Sequence, residues 1–171
     1  MTPASKKPKK RRVERTPPKA PPTWNPSIVV FACNWCSYAG ADTAGVSRIQ
    51  HQPHFRMIRV MCSGRIQPGF VLRAFERGAD GVLVSGCHFG DCHYIFGNER
   101  AVEQFEKTMN VVKLLGLEEG RLRLEWISAA EGPRFAEVIN EFTDQVRALG
   151  PSPFAGRQPG AGFQPVDRAT G

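Results

Sequence analysis

A chain of 171 residues, 41% of them hydrophobic, is long enough for one well-packed domain and too apolar for a disordered protein. No stretch approaches the roughly 20 uninterrupted apolar residues of a membrane span, and the amino terminus lacks the apolar core of a signal peptide. These features predict a cytoplasmic protein, in which five cysteines favour metal binding or redox chemistry over structural disulfides.

The net charge of +7 is concentrated in the first 25 residues, where eight Lys or Arg face a single acid, Glu14. The rest of the chain holds equal numbers of basic and acidic residues, so no nucleic-acid partner is expected for it. Residues 1–26 predict a Pro-rich disordered tail that acts as a solubilising or docking arm. The breaker-rich segment 150–171 predicts a flexible second tail, which leaves 27–149 as the folded domain.

Strands and helices alternate four times between these tails. Four segments have the length and composition of strands: 27–33, 56–62, 80–87 and 121–128. Four further segments predict helices: about 41–50, 68–78, 98–115 and an apolar stripe from Phe135 to Leu149. The first strand reads as buried on both faces, and the fourth alternates as an edge strand does. This order predicts a flavodoxin- or Rossmann-like α/β fold, with a four-stranded parallel sheet and helices on both faces.

The cysteines all fall at, or just beyond, the carboxyl ends of the predicted strands. Cys33 ends the first strand, Cys62 the second and Cys87 the third, while Cys36 and Cys92 lie in the loops that follow. In open parallel sheets, sites form beyond the carboxyl ends of the strands, near the point where strand order reverses. The pattern therefore brings five thiols to one edge of the sheet, although they span 60 residues of sequence.

The spacing of these cysteines leaves several chemistries open. A C-x2-C pair at 33–36 and a C-x4-C pair at 87–92 suit tetrahedral zinc in an interaction module, or an iron–sulfur cluster. The C-x2-C pair also fits a thiol–disulfide redox protein. A cysteine nucleophile in the 87–92 loop with His88 or His93 is disfavoured, because neighbours on one loop rarely reach hydrogen-bond geometry. The two histidines otherwise read as hydrogen-bond donors to the metal ligands or as solvated loop residues. Trp35 reads as a residue that shields a cluster from water.

The motifs "CNWCSYAGAD", "RVMCSGRI", "GADGVLVSGCHFGDCHY", "GN" (97–98) and "RLRLEWISAAEG" resemble the iron–sulfur D subunit, or delta subunit, of methyl-viologen-reducing (F420-non-reducing) hydrogenase. The likeness covers about residues 28–145. It implies a [2Fe-2S] cluster-binding domain in which Cys33, Cys36, Cys87 and Cys92 are the ligands. Cys62 is then the alternative fourth ligand or a redox thiol, and spacing does not decide which four of the five bind iron.

The same resemblance implies an electron-transfer subunit within a hetero-oligomeric oxidoreductase complex, rather than a stand-alone catalyst. Its expected partners are a hydrogenase or formate dehydrogenase as electron donor and the flavin-containing A subunit of heterodisulfide reductase as acceptor. The chain differs from the family pattern chiefly in its two tails and in Phe89 within the C-x4-C loop.

Overall fold

The computed structural model describes residues 24–155. The basic segment 1–23 and the segment 156–171 lie outside the described residues, so the two predicted tails stay predictions.

Four parallel strands form one sheet in the order β2-β1-β3-β4. The strands are β1 (Ile28–Cys33), β2 (Phe55–Val60), β3 (Gly81–Gly86) and β4 (Leu122–Trp126). The helices are α1 (Ser37–Val46), α2 (Pro68–Glu76), α3 (Gly97–Leu114) and α4 (Gly132–Leu149). The predicted α/β fold is confirmed, and β4 lies at the sheet edge as its alternating pattern indicated. None of these helices, in the part of the chain that the structure describes, is long and apolar enough to cross a bilayer.

One helix boundary differs from the sequence-based expectation. The first helix begins at Ser37, directly after Cys36, rather than near Ala41. The segment contains Gly40 and Gly45 and lacks an apolar stripe, so helical periodicity gives no signal for its start. The structural reason is packing, because a Cβ on Gly40 would lie 2.7 Å from the carbonyl oxygen of Ser128. The early start of α1 places Cys36 at the amino-terminal end of a helix.

Both faces of the two central strands, β1 and β3, are buried, which explains their continuous apolar runs, whereas the edge strands β2 and β4 are only partly covered. Helices α1 and α4 pack together on one face, and α2 and α3 pack together on the other. Alternate residues of β1 contribute to the two cores, with Val30 buried on the α4 side and Phe31 on the α2 side. The core on the α4 side contains Phe135, Ile139 and Phe142, whereas the opposite core contains Val71, Phe75 and Val112.

The order of the strands reverses beside β1. The chain crosses from β1 to β2 on one side, and then returns past β1 to β3 on the other side. The crevice between the carboxyl ends of β1 and β3 is therefore the topological switch point of the sheet, where open α/β folds bind ligands. Cys33 ends β1 and Cys87 follows β3, so the topology alone brings these two residues to the switch point.

A buried arginine joins the other end of the sheet to the residues that follow α4. The Arg121 side chain is fully buried and donates hydrogen bonds to the carbonyl oxygens of Asp80, Leu149, Gly150 and Pro151. The carboxylate of Asp80 accepts from the backbone N–H of Ser27 and of Ser152. The chain from 150 to 155 thus packs against the domain, while the predicted division of the chain at 26/27 and 149/150 stays a prediction.

Candidate metal centre

Cys33 and Cys36 are positioned by the turn that joins β1 to α1. Cys33 is the last residue of β1 and is 1% exposed, and the turn is fixed by a 2.8 Å hydrogen bond from the Asn34 N–H to the Val60 carbonyl oxygen. Cys36 directly precedes the first residue of α1 and is buried. Both sulfurs of the C-x2-C pair therefore lie at the rigid carboxyl edge of the sheet.

Cys87 meets Cys33 across the switch point. Their Sγ atoms lie 3.6 Å apart, and both side chains are 1% exposed. The hydrogen bond from Cys87, together with the backbone N–H groups of Trp35, Cys36 and Ser63, lowers the pKa of Cys33 to about 6 against the opposing effect of burial. The same contact with Cys33, followed by burial, raises the pKa of Cys87 far above its ordinary value. The site therefore stabilises a thiolate at Cys33.

Cys62 and Cys92 meet beside the start of α3. Cys62 is buried in the loop after β2, and Cys92 is half-buried in the loop after β3. A Cβ built on Gly97 would collide with the Sγ of Cys62 and lie 3.1 Å from the Sγ of Cys92. Burial raises the pKa of Cys62, and its neighbour Cys92 adds to that effect. Gly97 thus provides the space that two sulfurs occupy.

The loop that holds Cys62 approaches the other elements through two further glycines. A Cβ on Gly64 would lie 2.6 Å from the carbonyl oxygen of Gly97, and one on Gly86 would lie 2.6 Å from the Oγ of Ser63. Real Cβ atoms essentially never come this close to a neighbour. Glycine at these two positions therefore brings the Cys62 loop against β3 and α3, and so completes the group of five thiols.

The donor set fits an iron–sulfur cluster. Thiolates are the ligands that such clusters use, and two sulfurs on one tetrahedral metal lie about 3.8 Å apart for metal–sulfur bonds near 2.3 Å. The 3.6 Å separation of Cys33 and Cys87 is close to that spacing. The three backbone N–H groups that point at Cys33 are the donors that tune cluster sulfurs, and the buried Ser63 hydroxyl has no partner among the described residues. Within residues 24–155, no group of three or more His, Cys, Asp or Glu side chains is arranged to hold one metal ion.

The family model of the methyl-viologen-reducing hydrogenase delta subunit matches residues 28–150, which is the whole sheet with its helices and all five cysteines. The chain belongs to this delta-subunit family. The iron–sulfur D subunit of an F420-non-reducing hydrogenase from Archaeoglobus profundus is 50% identical over 131 residues, which cover 77% of this chain and 96% of that protein. The vhc iron–sulfur D subunit of the same kind of hydrogenase from Methanococcus voltae is 52% identical over 128 residues, 75% of this chain and 89% of the relative.

A different relative contains the same region inside a much longer protein. The A subunit of the ferredoxin:CoB-CoM heterodisulfide reductase from Methanosarcina mazei is 52% identical over 126 residues. These residues are 74% of this chain but only 16% of that protein. The delta-subunit domain therefore occurs both as a separate chain and as one part of a larger polypeptide.

Among the described residues of this delta-subunit chain, His88 and His93 interact with groups other than the cysteine sulfurs. The Nε2 of His88 lies 2.7 Å from the carboxylate of Glu131, and His93 stacks on the Trp35 ring with the ring centroids 4.0 Å apart. The backbone N–H of Ser128 and then His88 lower the pKa of Glu131. His88 thus joins the loop after β3 to the start of α4.

Trp35 contacts the loop after β3 in this family member, and its expected role as a shield of the thiols stays a prediction. It is the third residue of "CNWC", and its Nε1 donates to the Tyr94 hydroxyl at 3.3 Å. With the His93 stack, Trp35 therefore links the C-x2-C turn to the loop after Cys92. Phe89 lies elsewhere, edge-on to Trp126 at the end of β4, so its main contact is with the sheet rather than with the thiols.

Two residues of this family member, the "GN" of the family resemblance, have a structural role that the sequence pattern does not assign. Gly97 belongs to no metal-binding motif, because a glycine that opens a helix gives no sign of the sulfurs beside it. Asn98 is 1% exposed, and its Nδ2 donates to the carbonyl oxygens of Cys87 and His88 at 3.4 and 2.8 Å. Asn98 thereby fixes the backbone that follows β3. The "GN" that the chain shares with the family, at the expected start of α3, is the signal that the sequence offers for this position.

Proposed function

We propose that this chain is a [2Fe-2S] electron-transfer subunit, which relays electrons from a hydrogenase or formate dehydrogenase module to a flavoprotein like the A subunit of heterodisulfide reductase. The observation that carries the proposal is the convergence of five thiols, from three separate loops, at the topological switch point of the sheet. A bound [2Fe-2S] cluster supplies one-electron transfer there. The chain's own residues bury the sulfurs and donate N–H groups to them.

We assign Cys33, Cys36, Cys87 and Cys92 as the ligands, with Cys62 as the alternative. Three of these form one buried cluster against which Cys92 packs. Cys62 contacts the same group from the Cys92 side, which makes it the natural substitute if one of the four is not a ligand. The names of the relatives as iron–sulfur subunits support an iron–sulfur cluster in this chain.

The proposed partners are supported to different degrees. Two Methanosarcina relatives, each named as the A subunit of a heterodisulfide reductase, contain the matched region within their own chain, which favours direct contact between the two parts. The relatives named as hydrogenase subunits favour a hydrogenase as donor within a hetero-oligomeric complex. The proposal of a formate dehydrogenase as electron donor rests on the family resemblance alone. The cytoplasmic location stays a prediction.

Anaerobic purification tests the cofactor. The protein is expected to be brown, with two iron atoms and two acid-labile sulfides per chain, as a [2Fe-2S] cluster requires, visible charge-transfer absorption, and an EPR signal after reduction with dithionite. A colourless protein with one zinc ion per chain would contradict the proposal in favour of a zinc-stabilised interaction module.

Serine substitution at each of the five cysteines tests the ligand set, with iron counted per chain. Cys33→Ser, Cys36→Ser, Cys87→Ser and Cys92→Ser are expected to lose the cluster, because a hydroxyl is a poor ligand for these metals. Cys62→Ser is the matched control and is expected to retain iron. If Cys62→Ser loses iron and Cys36→Ser retains it, the assignment of Cys36 as a ligand is wrong and Cys62 takes its place.

A thiol–disulfide redox protein is the second candidate, because the pKa of Cys33 is lowered to about 6 within a C-x2-C pair. Against it, Cys33 is 1% exposed and so is poorly placed to attack the disulfide of another protein. A metal-free protein that forms a reversible Cys33–Cys36 disulfide would favour this candidate.

A further inference from the structure

An apolar surface lies directly outside the thiol group. Four large apolar side chains beside Cys62 are exposed among the described residues, and we call them the apolar rim: Met61 (60% exposed), Tyr94 (44%), Ile95 (81%) and Phe96 (45%). Three of them, with Cys62 and Gly97, line a cavity of about 450 Å³. The cavity therefore lies against one of the five cysteines. Contiguous exposed apolar surface on a small domain indicates an interaction site.

The backbone at the centre of the apolar rim is strained. Ile95 has a φ of 72°, which is an outlier for a β-branched residue, and the Phe96 N–H donates to the Tyr94 carbonyl oxygen at 2.9 Å. This i to i+2 hydrogen bond makes a γ-turn with Ile95 at its centre, and γ-turns with positive φ are rare and strained. The turn directs the most exposed apolar side chain of the rim into solvent, where it contributes nothing to folding. Strain of this kind concentrates at binding sites.

The charges of this surface have one sign. The cavity lining contains Arg65 and Arg100 and no acidic residue. Neither arginine forms an ion pair within residues 24–155, although the Arg100 guanidinium lies 4.6 Å from the centre of the Phe96 ring. Met, Tyr, Phe and Arg are the residues enriched at the centres of protein interfaces. The surface therefore matches a protein with an apolar centre and carboxylates around it.

We propose that the apolar rim, with Arg65 and Arg100, is the docking surface for the flavin-bearing subunit that exchanges electrons with the thiol-bound cluster. The partner presents an apolar patch to Ile95 and Phe96, and carboxylates to the two arginines. This inference rests on the proposed function, since the rim adjoins the thiols of the proposed cluster and electron exchange requires the two redox centres to lie close together. A contact of this type fits the small interfaces of redox partners.

Two sets of variants test the docking surface. The full chain is tagged, expressed in its own host and purified with its flavin-bearing subunit, and the association of that subunit with each variant is then measured at low and high salt. Arg65→Glu with Arg100→Glu is expected to slow association at least about tenfold at low salt, and less at high salt. Arg56→Glu with Arg77→Glu makes the same change of charge on exposed residues near the opposite end of the strands. The association rate of this control variant is expected to stay within about twofold of that of the parent chain.

Ile95→Gly separates docking from folding. Glycine adopts a positive φ without strain, so the melting temperature is expected to stay or to rise, whereas association is expected to weaken about tenfold. A lower melting temperature with unchanged association would overturn the proposal, as would an equal effect of the two charge-reversed pairs. Recovery of no flavin-bearing subunit with the parent chain also counts against it.

The visible absorption of each variant keeps the two proposals distinguishable. Variants that keep the cluster spectrum but lose the partner support the docking surface. If the parent chain contains no cluster and still binds the flavin-bearing subunit through the apolar rim, this result contradicts the proposed cofactor but supports the docking surface.

Discussion

Gly97 shows how one residue governs the thiol group. It is the first residue of α3, and the volume that a methyl group would fill beside it is occupied by the sulfurs of Cys62 and Cys92. Any side chain at 97 must therefore displace the loop after β2 or the loop after β3. Because the tight approach of Gly64 to α3 holds the loop after β2, that loop cannot move independently of the helix. The position requires glycine for space rather than for backbone conformation.

Gly97→Ala is expected to lose most of the bound iron, because the added methyl collides with Cys62 and crowds Cys92. The helix itself should not be weakened, since alanine is the better helix former by roughly 1 kcal/mol. Iron and acid-labile sulfide per chain are measured together with the far-ultraviolet circular dichroism. Gly69→Ala is the matched control, because Gly69 lies in the first turn of α2 and a Cβ there meets nothing within 4 Å. Equal iron in both variants would contradict the role assigned to Gly97.

The sequence predicts the edge of the sheet at which the cysteines meet, but not their contacts. Cys33 and Cys87 follow from strand ends, because parallel strands finish at one edge and the apolar runs mark those strands. That Cys87 meets Cys33 at 3.6 Å, while Cys62 lies next to Cys92, depends on the strand order and on Gly97. Periodicity carries no information on either. The outward-facing turn at Ile95 could not be predicted from the sequence either, because isoleucine rarely adopts a positive φ.

At the scale of elements, the end of the sheet opposite the thiols is held by one buried charge. Arg121 precedes β4 and joins β3, the end of α4 and the following segment through hydrogen bonds to four carbonyl oxygens. Its Nε donates to Glu118 at 2.6 Å, so the buried guanidinium has an acidic partner. The alternating pattern of "RLRLEW" predicts an edge strand and gives no sign that Arg121 is buried. Burial was not predicted because the carbonyl oxygens that bind Arg121 come from distant parts of the chain.

The ion pair between Glu118 and Arg121 makes the stability of the fold depend on pH. Burial is the largest single effect and acts to raise the pKa of Glu118. The hydrogen bond from Arg121, a backbone hydrogen bond and the charge of Arg121 together outweigh burial, so the net pKa falls below the ordinary 4.5. Because the folded pKa lies below the unfolded one, this contribution is fully present above about pH 4.5 and is lost as the pH falls through the folded pKa. Glu118→Gln is therefore expected to lower the free energy of unfolding at pH 7, and the deficit should shrink below pH 4.

Urea unfolding of the parent and the variant at pH 7 and at pH 3.5 measures this dependence, and acid effects shared by both proteins cancel in the difference. Glu76→Gln is the control, since Glu76 forms an i,i+3 pair with Arg73 in which both side chains are more than half exposed. Exposed pairs of this kind contribute about 0–1 kcal/mol, so a small effect is expected. If Glu118→Gln lowers the free energy of unfolding by the same amount at both pH values, the shape of the Glu118 side chain, rather than its charge, stabilises Arg121.

At the scale of the whole molecule, the sheet separates two tasks. The carboxyl ends of β1 and β3 hold the thiols, and the opposite ends hold the Asp80 and Arg121 contacts that fasten the chain before β1 and after α4. Two cores, one on each face of the sheet, lie between these ends and keep them apart. The thiol group can thus be solvent-accessible on its rim without weakening the cores. Residues 24–155 make every contact named in this division of tasks.

Removal of residues 1–23 is consequently expected to leave the iron content unchanged and the free energy of unfolding within about 0.5 kcal/mol of the parent. Removal of 1–26 goes three residues further and is expected to cost about 1–3 kcal/mol, because Trp24 packs against the core on the α4 side and Pro26 is buried. Chemical unfolding of the two truncated proteins, with iron counted in each, measures the difference.

The shorter truncation also removes eight basic residues against one acid, so any affinity for a polyanion such as heparin should disappear with it. Heparin binding that survives would show that the described domain contributes a basic surface of its own, and a loss of iron would make the amino-terminal segment part of the cluster site.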